Sequence, residues 1–113
     1  MKAGDIFYIN FDPAAGQEII KRRPALVVSD EKYNAKTGLP ITLPITNGRF
    51  MGGLAVDLSG HGLKSSGAVI CGRVKEMDFE ARNAQYVESI PKNLLEEVIR
   101  KTVAVLFPSL LNT

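Results

Sequence analysis

The spacing of apolar residues changes once along this chain, at Pro91. Before Pro91, apolar and β-branched segments are short and are separated by glycine, proline and other turn-forming residues. After it, a set of residues recurs every three or four positions with charged residues between them, which predicts one amphipathic helix. The set is Leu95, Val98, Ile99, Thr102, Val103 and Leu106, of which Leu95, Val98 and Leu106 are predicted to lie in the core. Short strands followed by a closing helix predict a mainly β (α+β) fold, a small and partly open β-barrel with a C-terminal amphipathic helix.

The segments before the helix have the composition of β-strands. The predicted strands are 5–11, 24–29, 39–46, 52–58, 67–77 and 86–90. Two prolines within 39–46 exclude a helix there and give that strand edge or bulge character. The polar segment 30–38 predicts a single helical turn between two strands.

Composition limits the class of protein. The 113 residues, 45% of them hydrophobic, predict a single folded domain over 1–113. The N-terminal residues lack the pattern of a secretory signal, and no apolar run reaches the ~18 residues that span a bilayer, which predicts a cytoplasmic protein with no membrane partner. The net charge of +2 does not identify a nucleic-acid binder. Only basic residues grouped on one face of the protein would indicate binding to nucleic acid.

Standard catalytic motifs are missing from the sequence. It has no P-loop, dinucleotide fingerprint, HExxH or CxxC, and His61 has no G-x-S-x-G partner for a catalytic triad. We interpret His61 as a turn residue between glycines, and Cys71, the single cysteine, as a small apolar core residue. Polar residues instead occur at the predicted strand ends and in loops, where a binding site is most readily built.

Several short motifs occur in an informative order. They are Gly4-Asp5-Ile6, Asp12-Pro13, Gly16-Gln17-Glu18, Arg23-Pro24-Ala25-Leu26-Val27-Val28-Ser29, Pro44-Ile45-Thr46, Ser66-Gly67-Ala68-Val69 and Met77-Asp78-Phe79-Glu80-Ala81-Arg82. In this order and spacing, and over nearly the whole chain, the sequence resembles the MazF/PemK/Kid family of type II toxins. The resemblance implies an SH3-like β-barrel, a homodimer, and cleavage of single-stranded RNA that is sequence-selective and independent of metal or other cofactors.

The resemblance also assigns site residues. The family's active-site arginine and threonine match Arg23 and Thr46, which become the predicted catalytic residues. A guanidinium can grip phosphate oxygens in two places, while a threonine hydroxyl donates one further hydrogen bond. The predicted RNA-binding or supporting residues are Gln17, Glu18, Arg22, Asn47, Arg49, Ser65, Ser66, Arg73 and Arg82.

The chain departs from one branch of the family at two positions. In that branch an aspartate at the position of Gly72 is the general base and an arginine at the position of Ile70 is the acid, and neither is present here. Arg73 supplies charge nearby, but a guanidinium stays protonated and is a poor base. A second interpretation therefore stays open, a non-catalytic or weakly active homologue on the same barrel, such as a CcdB-like gyrase poison or a protein that binds RNA or antitoxin.

The resemblance implies protein partners as well. A small acidic antitoxin is expected to cover a basic groove, and operator DNA is expected to be reached only through the antitoxin complex. The residues predicted to form this groove are Lys21, Arg22, Arg23, Arg49 and Arg73. An acidic segment would mimic the RNA phosphates and order on binding.

Overall fold

The computed structural model describes residues 1–10, 22–47 and 54–111. In these ranges the chain forms β1 (Asp5–Asn10), β2 (Arg22–Val27), α1 (Glu31–Thr37), β3 (Ile41–Thr46), β4 (Ala55–Asp57), β5 (Ala68–Ile70), β6 (Lys75–Glu76), β7 (Gln85–Ser89) and α2 (Lys92–Leu106). A 3-10 turn at Pro108–Leu111 follows α2.

The strands form one antiparallel sheet. Its order is β4-β5-β3-β2-β1-β7, and β6 pairs with the other end of β3. Over the described residues the sheet is not closed, and α2 packs against it. The prediction of a mainly β, partly open fold with a C-terminal helix is confirmed.

One face of the central strands carries the larger part of the core. Leu26 on β2 lies opposite Ile6 on β1 and Leu43 on β3, so the three side chains share a face. Leu94 and Val98 of α2 belong to the same buried cluster. This packing joins the helix to the middle of the sheet.

The other face of β2 is buried by a separate cluster. Ala25 and Val27 alternate with Leu26 and pack with Met77 and Phe79, which follow β6 in the chain. The Phe79 ring lies 4.8 Å from the ring of Phe7 on β1, centroid to centroid. Because each face of β2 packs into a different cluster, the register decides which side chain enters which cluster.

The short helix α1 confirms the helical turn predicted for 30–38. Asp30 caps its first turn by accepting a hydrogen bond from the Lys32 backbone N–H at 2.9 Å. Gly38 ends it in the left-handed conformation at φ 69°. Asn34 is buried and donates to the backbone carbonyl of Met1 at 3.1 Å, which ties down the N-terminus.

The prediction of one long strand over 67–77 is wrong. The segment forms β5 and β6, separated by a turn at 71–72. The Cys71 N–H donates to the Leu54 carbonyl at 2.9 Å, and the Arg73 N–H donates back to Ile70 at 3.3 Å. These bonds turn the chain away from β3, so a run of apolar residues that reads as one strand pairs with β3 at two separate places.

The predicted apolar face of α2 is confirmed at Val98 and Thr102 but not in the last turn of the helix. Leu94, Val98 and Thr102 are its buried residues, whereas Leu106 is 61% exposed. Leu106 lies in the last turn, beyond the stretch of the helix that the sheet covers. The prediction of Leu106 as a core residue is therefore wrong.

The packing of α2 predicts a large loss of stability for Leu94→Ala. Leu94 is 1% exposed, and removing a buried leucine side chain typically lowers the free energy of unfolding by about 2–5 kcal/mol. Leu54→Ala is the matched control, since Leu54 is 51% exposed and its substitution is expected to change stability by at most ~0.5 kcal/mol. Urea unfolding at one protein concentration measures both, and equal midpoints would contradict the assigned core.

Candidate active site

A cleft of about 330 Å³ opens where β2 begins and β3 ends. Its lining residues are Tyr8, Arg22, Arg23, Pro24, Ile45, Thr46, Asn47 and Ser66. The antiparallel arrangement explains this location, because the start of β2 lies beside the end of each neighbouring strand. The cleft therefore collects side chains from four separate parts of the sequence.

The predicted catalytic pair meets in this cleft. β2 and β3 pair so that Ala25 lies opposite Pro44, and continuing that register by two residues sets Arg23 opposite Thr46. Arg23 is exposed, and its guanidinium has no hydrogen-bond or ion-pair partner within residues 1–10, 22–47 and 54–111. A cation and a hydroxyl group thus line one cleft, with the cation available to a ligand.

Arg22 differs from its neighbour because its guanidinium is held by hydrogen bonds to groups of the protein itself. It donates to Asn10 Oδ1 at 2.8 Å and to the backbone carbonyls of Tyr8 and Asn83 at 3.2 and 3.3 Å. A further bond reaches Gln85 Oε1 at 3.2 Å. Arg22 therefore links β1, β2 and β7 and fixes one wall of the cleft.

The opposite wall depends on a close approach of two backbones. Ser66 lies beside Asn47, with the Ser66 hydroxyl 3.4 Å from Asn47 Oδ1. Gly67 follows at φ +105°, and a Cβ at this position would lie 2.5 Å from the carbonyl oxygen of Thr46. Only glycine permits this contact, which brings the start of β5 against the end of β3.

Glu88 on β7 holds the loop that precedes Ser66, and the predicted site residues do not include it. Its carboxylate accepts hydrogen bonds from the Lys64 N–H at 3.0 Å, the Ser65 N–H at 2.7 Å and the Ser65 hydroxyl at 2.7 Å. Burial acts to raise the pKa of Glu88, but these bonds and the Lys64 charge outweigh it and the pKa is lowered. Ser65 therefore supports the loop instead of lining the cleft.

The remaining predicted residues lie elsewhere. Arg73 is exposed beyond β5 and does not line the cleft. Arg82 donates to the carbonyl of Asn10 at 3.0 Å, next to the bond from Arg22. Gln17, Glu18, Lys21 and Arg49 lie outside the described residues.

The two positions of the missing acid–base pair are not in the cleft. Gly72 lies beside α2, where an added Cβ would meet Val105 at 3.6 Å. Ile70 is the last residue of β5, at the opposite end of the strand from Ala68. Ala68 is the residue that pairs with Thr46 beside the cleft. A carboxylate at position 72 would therefore start against the helix of the same chain and not against Arg23.

Neither Cys71 nor His61 joins the site. Burial raises the pKa of the Cys71 thiol, which keeps it protonated, and its side chain lies in the main core cluster. His61 lies in the exposed turn after Leu58. Within the described ranges, no cluster of three or more histidine, cysteine or acidic side chains is arranged to hold a metal ion.

The chain belongs to the family described as the PemK-like, MazF-like toxin of type II toxin-antitoxin systems, which matches residues 2–106. It is 33% identical over 109 residues to endoribonuclease PemK of Escherichia coli, covering 94% of this chain and 82% of that protein. It is 36% identical over 81 residues to the endoribonuclease toxin MazF of Escherichia coli K12, covering 72% and 71% of the two chains.

A solved structure has the same fold. The MazE-MazF crystal structure (Form-II) from Deinococcus radiodurans superposes with a TM-score of 0.84 at 36% identity, covering 94% of this chain and 95% of that one. The predicted family is confirmed, and the named relatives are endoribonucleases. No helix among the described residues has the length and apolar character needed to cross a membrane.

The Glu88 contacts predict a pH-dependent contribution to stability. Glu88→Gln is expected to lower the free energy of unfolding by about 1 kcal/mol, because at this partly exposed site it removes the charge and replaces one of the two acceptor oxygens with an NH2 group. The lowered pKa of Glu88 in the folded protein means that this contribution is complete above the ordinary value of 4.5 and disappears as the pH falls through the lowered pKa.

Urea unfolding across that pH range measures the effect. Glu76→Gln is the matched control, since Glu76 is an exposed strand residue with no side-chain hydrogen bond or ion pair among the described residues. A difference between wild type and Glu88→Gln that stays constant with pH would argue against an ionised clamp.

Proposed function

We propose that this chain is a toxin that cleaves single-stranded RNA in a sequence-selective way, without a metal ion. The observation that supports this most is the exposed Arg23 in the same cleft as Thr46. The two relatives above are named endoribonucleases and align over most of the chain. The cleft offers cationic, hydroxyl and amide groups, which are the groups that bind a phosphodiester.

The proposed reaction begins with attack of the ribose 2′-hydroxyl on the adjacent phosphorus. The O2′–P bond forms and the P–O5′ bond breaks, while the 2′-hydroxyl loses a proton and the leaving O5′ gains one. The products are a 2′,3′-cyclic phosphate and a 5′-hydroxyl end. Arg23 stabilises the charge that develops on the phosphorane oxygens, and the Thr46 hydroxyl donates one hydrogen bond to them.

The described part of the cleft contributes charge stabilisation more than proton transfer. None of the eight described lining residues carries a carboxylate or an imidazole. Glu18, predicted as an RNA-binding or supporting residue, lies outside the described residues. We therefore assign Arg23 the central role among the described residues, with Thr46 as a weaker contributor.

Arg23→Ala is expected to reduce cleavage most, by about 100-fold or more, because a preorganised charge near the phosphorane contributes on the order of 3 kcal/mol to the barrier. Thr46→Ala should reduce it less, since it removes one neutral donor. Cleavage is measured with purified protein in excess chelator, with chemical identification of both RNA ends. Loss of wild-type activity in chelator would contradict the metal-free mechanism.

Two variants serve as controls for this assignment. Arg73→Ala removes an exposed arginine that does not line the cleft and should leave the cleavage rate nearly unchanged. Gly72→Asp should also have little effect, since the new side chain begins against Val105. If Gly72→Asp raises cleavage while Arg23→Ala has no effect, the chain is better interpreted as a relative that has lost its base.

We also propose a homodimer, with the apolar C-terminal surface at its interface. Leu106, Phe107 and Leu110 are 61%, 56% and 59% exposed and follow one another at the end of α2. Contiguous exposed apolar side chains usually mark an interface. A second copy packed on this surface would bury these side chains.

Sedimentation velocity at micromolar concentration should give twice the 12.3 kDa mass of the chain. Leu106→Asp combined with Leu110→Asp should shift the protein to the monomer, because two charges would be buried without partners. Tyr33→Asp, at an exposed position on α1, is the control and should stay dimeric. A wild-type monomer would rule out the proposal.

An acidic antitoxin is the proposed protein partner, with operator DNA bound only through that complex. The family is one of toxin-antitoxin systems, and the Deinococcus radiodurans relative is a MazE-MazF structure. Several cations were predicted to face the antitoxin. Within the described residues, Arg23 lines the cleft and has no hydrogen-bond or ion-pair partner. An antitoxin carboxylate on Arg23 would occupy the position that we assign to the RNA phosphate.

A further inference from the structure

Tyr8 is an exposed aromatic residue in the wall of the cleft. It is 41% exposed although it lies in the middle of β1, with fully buried Ile6 and Ile9 close by. Its cross-strand neighbours are Pro24 on β2 and Gln85 on β7. A tyrosine ring is thus presented to solvent beside the groups assigned to the phosphodiester.

The position of Tyr8 follows from where the helix stops covering the sheet. In the continuous β1–β2 register, Ile6 and Tyr8 are two residues apart and share a face. Ile6 packs in the cluster that contains Leu94 and Val98 of α2, whereas Tyr8 lines the cleft. The apolar face of the sheet therefore continues out of the core into the cleft.

The ring of Tyr8 is held in place. The Arg22 guanidinium lies 5.2 Å from the ring centroid, and Arg22 is itself fixed by bonds to Asn10 and Gln85. A cation over one face of the ring restrains its rotation and leaves the remaining exposed surface to the cleft. Because the ring is already restrained, stacking of a ligand on it would cost little further side-chain entropy at Tyr8.

We propose that Tyr8 is a stacking platform for a base of the RNA whose phosphate is bound by Arg23. This inference rests on the proposed function and adds a base-binding position to it. Base-aromatic stacking tolerates any base, because every base has a π-face, and cations that track the backbone normally accompany it. Tyr8 would then fix the nucleotide while Thr46 and Arg23 contact the scissile group.

Tyrosine fluorescence tests this directly, because the chain has three tyrosines and no tryptophan. The variant Tyr33→Phe with Tyr86→Phe leaves Tyr8 as the single emitter. It is titrated with single-stranded 2′-O-methyl RNA of randomised sequence, which lacks the nucleophile and cannot be cut. Emission should be quenched as the RNA binds, and an abasic strand with the same backbone should bind without quenching.

A second measurement uses fluorescence anisotropy of labelled RNA. Tyr8→Ala should weaken binding by about 5- to 150-fold, the range for loss of one stacked base, while Tyr8→Phe should bind like the wild type. Tyr33→Ala is the matched control, since Tyr33 is 42% exposed on α1 and does not line the cleft. If Tyr8→Ala does not fold, Tyr8→Leu retains apolar volume beside Pro24 and should show the same weakening.

The outcomes separate this inference from the proposed function. RNA binding without quenching, or with unchanged affinity in the Tyr8 variants, would overturn the stacking platform and leave the nuclease proposal in place. Quenching and weakened binding in a protein that cuts no unmodified RNA would support the platform and contradict catalysis. Failure of the wild-type protein to bind any RNA would overturn both.

Discussion

Burial of β2 on both faces is the constraint on which this structure depends. Ala25, Leu26 and Val27 are fully buried, Leu26 beneath α2 and the other two beneath the segment that follows β6. A strand shift by one residue would exchange these faces and put each side chain into a cluster packed around a residue of a different size. Because this register is fixed, Arg22 and Arg23 at the start of β2 lie at fixed positions at the edge of the core.

The cleft lies at the boundary of that core. The face of the sheet that packs under α2 continues past the helix through Tyr8 and Pro24, so apolar surface reaches solvent beside polar strand ends. Gly67 completes the site, because its lack of a side chain lets β5 approach the Thr46 backbone. The close packing of β5 against β3 and the position of Ser66 beside Thr46 in the cleft therefore both depend on Gly67.

Neighbouring basic residues have different tasks. Arg22 is fully engaged by four acceptors and supports the wall of the cleft, whereas Arg23 is exposed in the cleft and has no partner among the described residues. Arg73 lies outside the cleft on the same chain. Glu88 performs a comparable supporting task for the Ser65 loop from the far edge of the sheet.

The change of spacing at Pro91 determined the mainly β fold and the C-terminal helix, because each depends on residues close together in the chain. The order of motifs determined the family, and through it the prediction of Arg23 and Thr46 as site residues. The division of the predicted 67–77 strand, the exposure of Leu106 and the clamp by Glu88 were decided by tertiary structure. Those features depend on contacts between distant segments, such as the 23 residues that separate Ser65 from Glu88. Local spacing carries no record of which distant group will complete a hydrogen bond or cover a helix turn. Only the packed sheet gave Arg22 four acceptors and left Arg23 without a partner among the described residues.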